Sequence, residues 1–317
     1  MIERPLRVLD LFSSLGGTNW VDGGWSSASR RRGHSVITLE IESMFNPDLC
    51  GDILDFEVED ILTLFDGFPP DVVFASPPCK AFSVLQISNN WEGWNQAKKS
   101  AMKSLIEMRR PCPSHLGPIP KSPTAIHGRE LMNKAISLIT QLQEMNPDMF
   151  WWLENPRGMM RYQPELTIFE RATISHASYH DPAAFELGLL GDSHHTEEPL
   201  PNLKPTDLWG RWPKSWKPRP MLPKSSAGRL YLAVGSGEHI GINGDATMYH
   251  PHTGEKIDPY FTRALIPFYL GHDAIRSVEE ALGCIPTNDY LDHPGSVSYT
   301  HLRAQRDVEE SRMPSSA

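Results

Sequence analysis

A cysteine stands directly after two prolines and a short apolar run. Val72 and Val73 lead into the turn Ser76-Pro77-Pro78-Cys79. Each proline fixes φ and removes a backbone donor, so the chain leaves a strand rigidly and presents the next side chain at the strand's carboxyl end. A cysteine that only packs in a core is expected within an apolar period. Cys79 is therefore a candidate nucleophile, since exposed thiolates add readily to electron-poor carbon.

A glutamate ends a second apolar run further along the chain. Trp151-Trp152-Leu153 leads directly into Glu154, and Asn155-Pro156 follows. A carboxyl group in an apolar pocket can keep its proton near neutral pH and act as a general acid. A solvated carboxylate at a strand end is the plainer alternative. The sequence thus predicts a nucleophile and a proton donor at the ends of two strands.

Small and acidic residues near the first two predicted strands indicate a nucleotide-type cofactor. Residues 10–17, DLFSSLGG, run from a strand into a small-residue turn, which lets a cofactor approach helix N–H groups. Glu40-Ile41 ends the next strand with a carboxylate that could accept hydrogen bonds from a ribose. Gly51-Asp52-Ile53 offers a second carboxylate for an adenine amino group. Ordinary turns and strand-end acids are the alternative for each motif taken alone.

The elements that must position these residues alternate apolar runs with helical stretches over the first 155 residues. This pattern predicts an α/β fold with a doubly wound, Rossmann-like mixed sheet. The longest helix is predicted at Pro123–Met145, between the start signal Ser122-Pro123 and the stop signal Asn146-Pro147. The strands are predicted at Leu6–Leu11, Ser35–Glu40, Asp71–Ala75 and Met149–Leu153.

Length and cysteine usage restrict the class of protein. The 317 residues suffice for one large domain and a small appendage. Since no apolar run approaches the roughly 18 residues of a membrane span and no signal peptide is recognised, we expect a cytoplasmic protein without a membrane segment. The 4 cysteines lack paired spacing, and the histidine pairs at 176/180 and 194/195 lack cysteine partners, so we expect neither disulfides nor a metal.

Basic residues are concentrated in two stretches of an otherwise acidic chain. The net charge is −9, whereas contacts with nucleic-acid phosphates need a basic footprint. Seven cations and one acid lie from Lys204 to Arg229, with Trp209, Trp212 and Trp216 interleaved, and a second basic group lies between residues 98 and 121. Lys217 and Arg219 are candidates for phosphate contacts. A solvated face is the alternative.

In combination these motifs resemble the DNA (cytosine-5) methyltransferase family, in particular its phage-type or orphan-like members. The matches are DLFSSLGG at 10–17, Glu40 and Asp52, SPPCKAFS at 76–83 and WLENP at 152–156. The resemblance is strong over 6–156 and looser through residue 281. It implies transfer of a methyl group from S-adenosylmethionine to C5 of cytosine in double-stranded DNA, with the target cytosine flipped out of the duplex.

The resemblance also implies a role for each matched residue. Cys79 would form a covalent adduct with C6 of the base, Glu154 would act at N3, and Asn155 would hold the glutamate loop or the base. A monomer is expected. The implied cofactor-binding residues are Phe12, Leu15, Gly16, Gly17, Glu40, Ile41, Asp52, Ile53 and Pro78.

The sequence departs from the family pattern at four places. Ser14 stands where glycine is usual, and the nucleophile and the glutamate are further apart, with a Pro-rich basic insertion at 109–113. The usual Gln-x-Arg-x-Arg motif is absent; LKPTDLW at 203–209 stands there, so Lys204 is the candidate catalytic cation. The usual Gly-Asn-Ala-Val is also missing, with RALIP at 263–267 in a corresponding position.

Four segments are predicted along the chain: a catalytic and cofactor-binding domain at 1–203, a small loop-rich target-recognition segment at 204–260, a C-terminal helix returning to the catalytic domain at 261–285, and a disordered tail at 286–317. The polar stretch Ser296–Ala317 opens with SVSYTHLRA, which resembles translated sequencing-adaptor sequence.

Two other functions agree with the same motifs. An RNA cytosine-C5 methyltransferase would use the same cysteine chemistry, and a catalytically impaired, cofactor-dependent nucleic-acid-binding protein would bind without transferring a methyl group. A hydride-transfer enzyme is disfavoured because it would not explain Cys79 and Glu154 together.

Overall fold

The computed structural model describes residues 4–13, 24–43, 46–179, 205–220, 248–249, 256–257 and 266–284. The strands are β1 (Arg7–Leu11), β2 (Ser35–Glu40), β3 (Leu49–Cys50), β4 (Val72–Ala75), β5 (Trp91–Glu92), β6 (Ile119–Pro120), β7 (Phe150–Pro156), β8 (Glu170–Ser175), β9 (Pro205–Arg211), β10 (Met248–Tyr249) and β11 (Lys256–Ile257). The α-helices are α1 (Gly24–Arg31), α2 (Val58–Leu64), α3 (Ile87–Asn90), α4 (Gln96–Glu107), α5 (Pro123–Met145) and α6 (Phe268–Leu282).

Seven strands form one mixed sheet in the order β3-β2-β1-β4-β7-β9-β8. The pairs from β3 to β7 are parallel, and β9 is antiparallel to both β7 and β8. The predicted α/β class with a doubly wound mixed sheet is confirmed. No helix in the described ranges has the length and apolarity needed to cross a membrane.

Both faces of the sheet carry a hydrophobic core, which explains why its central strands read as continuous apolar runs. Adjacent residues of β7 point to opposite faces: Trp151 packs in the core shared with α2 and α5, whereas Trp152 packs in the core shared with α1 and α6. The parallel strands therefore end at one edge, with helices covering both faces.

Local signals placed two elements at their predicted bounds. Strand β2 spans Ser35–Glu40, and helix α5 spans Pro123–Met145. The Ser122 hydroxyl accepts a hydrogen bond from the Ala125 amide at 3.1 Å, as an N-cap does, and Pro123 occupies the first helical turn. Strand β7 extends beyond its predicted end at Leu153 as far as Pro156.

The first described residues of the expected recognition segment at 204–260 lie in the main sheet. Residues 205–211 form β9, which lies inside the main sheet between β7 and β8. Trp209 and Trp216 are buried in the two cores rather than exposed among cations. A strand buried on both faces carries no polar alternation that would distinguish it from a loop-rich apolar stretch. Residues 221–247, 258–265 and 285–317 lie outside the described residues, so the rest of the recognition segment and the tail stay predictions.

The helix expected within 261–285 is α6, and it packs on α1. The close approach depends on Gly271, where an added Cβ would lie 2.9 Å from the Ala28 Cβ. A buried ionic cluster fixes the two segments: Arg32, just after α1, donates to both carboxylate oxygens of Glu279 on α6, each at 2.7 Å. The His34 Nε2 lies 2.8 Å from the same carboxylate.

Candidate active site at the carboxyl edge of the sheet

Neighbouring parallel strands bring the candidate nucleophile and the candidate acid to one edge. Strands β4 and β7 pair so that Ala75 lies opposite Leu153. Glu154 is the next residue of β7, and Cys79 follows β4 by four residues as the first residue of the short 3-10 helix Cys79–Ala81. Cys79 is partly exposed, as a residue that must meet a substrate requires.

A buried hydrogen bond joins the two chain segments. The Asn155 side-chain amide donates to the Pro77 carbonyl at 2.8 Å. Pro77 precedes the nucleophile by two residues, and Asn155 directly follows the glutamate. The bond therefore links the two candidate catalytic segments directly.

The nucleophile loop is also held from its other side. The Trp91 indole N–H donates to the Ala81 carbonyl at 2.8 Å, and the Asn90 amide donates to the same oxygen at 3.1 Å. The Phe82 carbonyl accepts from the Met159 amide at 2.7 Å. A Cβ on Gly158 would clash with that carbonyl, so only glycine allows this approach. The loop is thus preorganised by segments on both sides.

Glu154 lies in a nearly closed environment that includes a histidine. Its residue is 4% exposed, and its Oε1 is 4.0 Å from the His176 Nε2. The same nitrogen is 3.2 Å from the Thr206 hydroxyl on β9. The sequence assigned His176 no role in a catalytic site. Its position beside Glu154 depends on the pairing of β8, β9 and β7, for which the local sequence carries no signal.

The cofactor-binding candidates that the structure describes lie at the same edge, around the ends of β1, β2 and β3. Phe12 adopts the left-handed φ of 60°, which is uncommon outside glycine and turns the chain sharply off β1. The Glu40 carboxylate accepts from the Ile41 amide at 2.9 Å, and the Ile41 side chain is 58% exposed. An exposed apolar side chain beside a strand-end carboxylate offers a surface for a flat base and an acceptor for a sugar hydroxyl.

Asp52 and Ile53 lie next to this surface, and Pro78 lies beside the nucleophile. The Asp52 carboxylate caps the short 3-10 helix Ile53–Asp55 through the Leu54 amide at 3.0 Å. The Ile53 side chain is 2% exposed and belongs to the core. Pro78 is exposed next to Cys79. Leu15, Gly16, Gly17 and Lys204 lie outside the described residues.

Asp10 is a buried acid at this edge to which no role was assigned from the sequence. It lies within β1, and its carboxylate accepts a hydrogen bond from the Ser26 hydroxyl of α1. Burial raises the pKa of Asp10 to about 7. As the first residue of the DLFSSLGG motif it could have been identified, because a carboxylate inside an apolar strand is unusual.

Among proteins of known description, the chain is similar to a "Probable DNA (cytosine-5)-methyltransferase" of Frog virus 3 (isolate Goorha). The two are 26% identical over 215 residues, which span 65% of this chain and 83% of the viral protein. No protein-family model matches the chain.

Two solved structures are also similar. A "putative DNA modification methyltransferase encoded within prophage Cp" of E. coli is 17% identical with a TM-score of 0.38; the match covers 69% of this chain but only 52%, about half the length, of the prophage protein. The methyltransferase EhMeth of Entamoeba histolytica is 9% identical with a TM-score of 0.42, over 88% of this chain and 99% of that one.

Proposed function

We propose that this chain is a methyltransferase of the DNA (cytosine-5) type, which transfers a methyl group from S-adenosylmethionine to C5 of cytosine in double-stranded DNA. The observation that carries the proposal is the buried hydrogen bond from Asn155 to Pro77, which joins the segments of Cys79 and Glu154 at the carboxyl edge of the sheet. The name of the viral relative supports the same activity.

The pair of residues suits the chemistry because C5 of cytosine is a poor nucleophile. The Cys79 thiolate adds to C6, forming the S–C6 bond, while the electrons of the C5–C6 double bond move into the ring. Glu154 donates its proton to N3 and so neutralises the charge that the addition creates. Glu154 is only 4% exposed, so little water can compete for the proton that this step transfers.

C5 then carries the electron density required for methylation. When bound, S-adenosylmethionine supplies an electrophilic methyl group on its sulfonium. After C5 has accepted the methyl group, loss of the C5 proton to a base restores the C5–C6 double bond. The S–C6 bond breaks in the same elimination, N3 returns its proton to Glu154, and the Cys79 thiolate is regenerated.

The described residues at the ends of β1 and β2 fit this cofactor. The exposed Ile41 side chain can pack on the adenine, and the Glu40 carboxylate can accept hydrogen bonds from the ribose. The left-handed turn at Phe12 directs the chain away from the strand end, where space is needed. Pro78 would border the methyl end. Leu15, Gly16 and Gly17 are proposed contacts on the resemblance alone.

The substrate cytosine must leave the duplex to reach this edge, because C6 is inaccessible within a base stack. The expected partner is therefore double-stranded DNA with a flipped cytosine. The monomeric state, the cytoplasmic location and the part played by Lys204 stay predictions.

A duplex containing 5-fluorocytosine tests the covalent step. Fluorine cannot leave as a proton does, so elimination stalls after methyl transfer and the protein should stay attached to the DNA. The adduct should require S-adenosylmethionine and should map by mass spectrometry to Cys79. Cys79→Ser should abolish it, because the serine hydroxyl is a much weaker nucleophile at neutral pH. Cys112→Ser, at a partly exposed cysteine outside the nucleophile loop, is the matched control and should leave trapping intact.

Glu154→Gln should slow trapping by orders of magnitude while cofactor binding is retained, since the amide cannot donate the N3 proton but hardly changes the shape of the pocket. A crosslink on another residue, or rapid methyl transfer by Cys79→Ala, would overturn the mechanism. Trapping on RNA but not on duplex DNA would reassign the substrate.

A further inference from the structure

Two arginines lie close to one buried carboxylate next to the candidate active site, and a third lies close to one of them. Asp207 of β9 lies directly opposite Asn155 of β7 and is fully buried. Arg161 donates to both of its carboxylate oxygens, at 2.9 and 2.6 Å, and the Thr173 hydroxyl donates to it at 2.7 Å. Arg161 and Thr173 thus donate hydrogen bonds to both oxygens of Asp207, and the paired hydrogen bonds fix the orientation of the Arg161 guanidinium.

Arg171 adds a second cation to the same face of the sheet. Arg171 lies on β8, opposite Trp209 of β9, and is two residues from Thr173, which binds Asp207. Among the described residues its guanidinium forms neither a hydrogen bond nor an ion pair. Burial lowers the pKa of Arg171, the negative charge of Asp207 offsets part of this effect, and the positive charges of Arg161 and Arg157 lower the pKa further.

The cluster therefore holds more positive than negative charge in a partly buried place. Arg161 and Arg171 lie close to the acid Asp207, and Arg157 adds an exposed positive charge close to Arg171, while the nearby Glu170 is already paired with Arg109 at 3.3 Å. A partly desolvated cation without a partner is unfavourable for the folded chain on its own. Such an arrangement is expected where a ligand supplies the missing negative charge.

The position of the cluster indicates which anion that is. Neighbouring strands lie about 5 Å apart, so Asp207 is one strand spacing from Asn155, which holds the nucleophile loop. The segment that carries Arg157 and Arg161 also contacts both sides: the Arg157 amide donates to the Pro205 carbonyl at 2.8 Å, and the Met159 amide donates to the Phe82 carbonyl at 2.7 Å. A group bound here would lie beside the reacting base.

Aromatic residues extend the cationic surface away from the cluster. Tyr162, next to Arg161, packs against Trp94 with ring centroids 4.5 Å apart. The Lys99 ammonium lies 5.9 Å from the centre of the Tyr162 ring. Cations interleaved with aromatic rings are typical of nucleic-acid-binding surfaces.

We propose that Arg157, Arg161 and Arg171 bind a backbone phosphate of the DNA strand that carries the target cytosine. This inference rests on the proposed function, because that function supplies the DNA. Arg161 is oriented by Asp207, Arg171 contributes a partly buried charge that has no hydrogen-bonded or ion-paired partner among the described residues, and Arg157 contributes an exposed charge. Guanidinium groups are suited to phosphate because their planar donors form paired hydrogen bonds with its oxygens.

Binding of a fluorescent duplex across a range of salt concentrations tests the site. Each phosphate contact contributes about 0.9 to the slope of log affinity against log salt. Arg171→Gln should therefore reduce the slope by about 1. Arg171→Lys should retain most of it, because it keeps the charge. Arg276→Gln is the control, since that exposed arginine pairs with Glu280 on α6 and should leave the slope unchanged.

Thermal melting distinguishes a ligand site from a structural one. Removal of an unneutralised cation should leave the melting temperature of Arg171→Gln unchanged or raise it, although DNA affinity falls. An unchanged salt slope in Arg171→Gln overturns the proposal, as does a loss of affinity accompanied by a lower melting temperature in both Arg171 variants. Stronger Arg171-dependent binding to single-stranded RNA than to the duplex overturns the assignment to DNA.

The binding assay needs no methyl transfer, so the two proposals can fail separately. An Arg171-dependent slope without any 5-fluorocytosine adduct would support this site and contradict the proposed function. An adduct combined with an unchanged slope would contradict this site alone. Absence of duplex binding at every salt concentration would contradict both.

Discussion

Replacing Glu279 by glutamine should strongly destabilise the packing of α6 on α1. The carboxylate accepts from Arg32 at both oxygens, at 2.7 Å, and lies 2.8 Å from the His34 Nε2. The Arg32 and Glu279 side chains are only 5% and 4% exposed, so water cannot replace a lost partner. The glutamine amide has almost the same volume but turns an NH₂ donor toward donors and leaves the Arg32 cation buried.

The magnitude follows from that burial. Breaking a buried ion pair by removing one partner costs about 3–5 kcal/mol. This is a large part of the roughly 5–15 kcal/mol by which domains are stable. Glu280→Gln on the same helix is the matched control. Its pair with Arg276 is more than half exposed at 3.3 Å, so we expect a loss of about 0–1 kcal/mol.

Urea unfolding followed by circular dichroism measures both free energies. Burial alone would raise the pKa of Glu279, but hydrogen bonds from His34 and Arg32 lower it overall. A lowered folded-state pKa gives stability that is present above the unfolded-state value of 4.5 and is lost as the pH falls through the folded-state value. The difference between wild type and Glu279→Gln should therefore shrink in acid. Equal losses for the two variants, or a difference independent of pH, would refute the reasoning.

Three further predictions concern the site and its surroundings. His176→Gln should lower kcat by about 10- to 100-fold with little change in KM for DNA, because a shifted Glu154 is misaligned with the base; an unchanged kcat would exclude this role. Because the pKa of Asp10 is raised from 3.8 to about 7, the free energy of unfolding should fall by about 1.4 kcal/mol per pH unit as the pH rises between these two values. In Asp10→Asn this fall should be smaller, as measured by urea unfolding at several pH values. Arg219 was a candidate for a phosphate contact, and in the structure it donates to Asp273 at 2.6 and 3.0 Å. Arg219→Gln should therefore cost about 1 kcal/mol of stability and leave the salt slope of DNA binding unchanged. Lys217 is exposed and stays a candidate for a phosphate contact.

Short-range sequence signals predicted much of the fold and identified Cys79 and Glu154 as candidate catalytic residues. The serine cap, the proline and the stop signal set α5 at Pro123–Met145, because helix ends depend on hydrogen bonds within a few residues. The two prolines before Cys79 predicted that it follows a strand, as it does, whereas the apolar run before Glu154 predicted the strand's end just before a residue that lies within β7. Parallel strands end at a common edge, so the fold class predicted that both residues lie at this edge, and the pairing of β4 with β7 made their segments neighbours.

Tertiary structure decided what depended on pairing between distant segments. The insertion of β9 between β7 and β8 brings His176 to Glu154 and gathers Arg161 and Arg171 around Asp207. None of these contacts can be predicted from the neighbouring sequence, because the order of the strands depends on how their buried faces pack together. From the sequence, the tryptophans of 205–220 appeared among basic residues and indicated a nucleic-acid-binding surface. In the structure they pack in the two hydrophobic cores. The sequence identifies the groups that can react. Which residues contact them depends on the long-range packing that also excludes water around them.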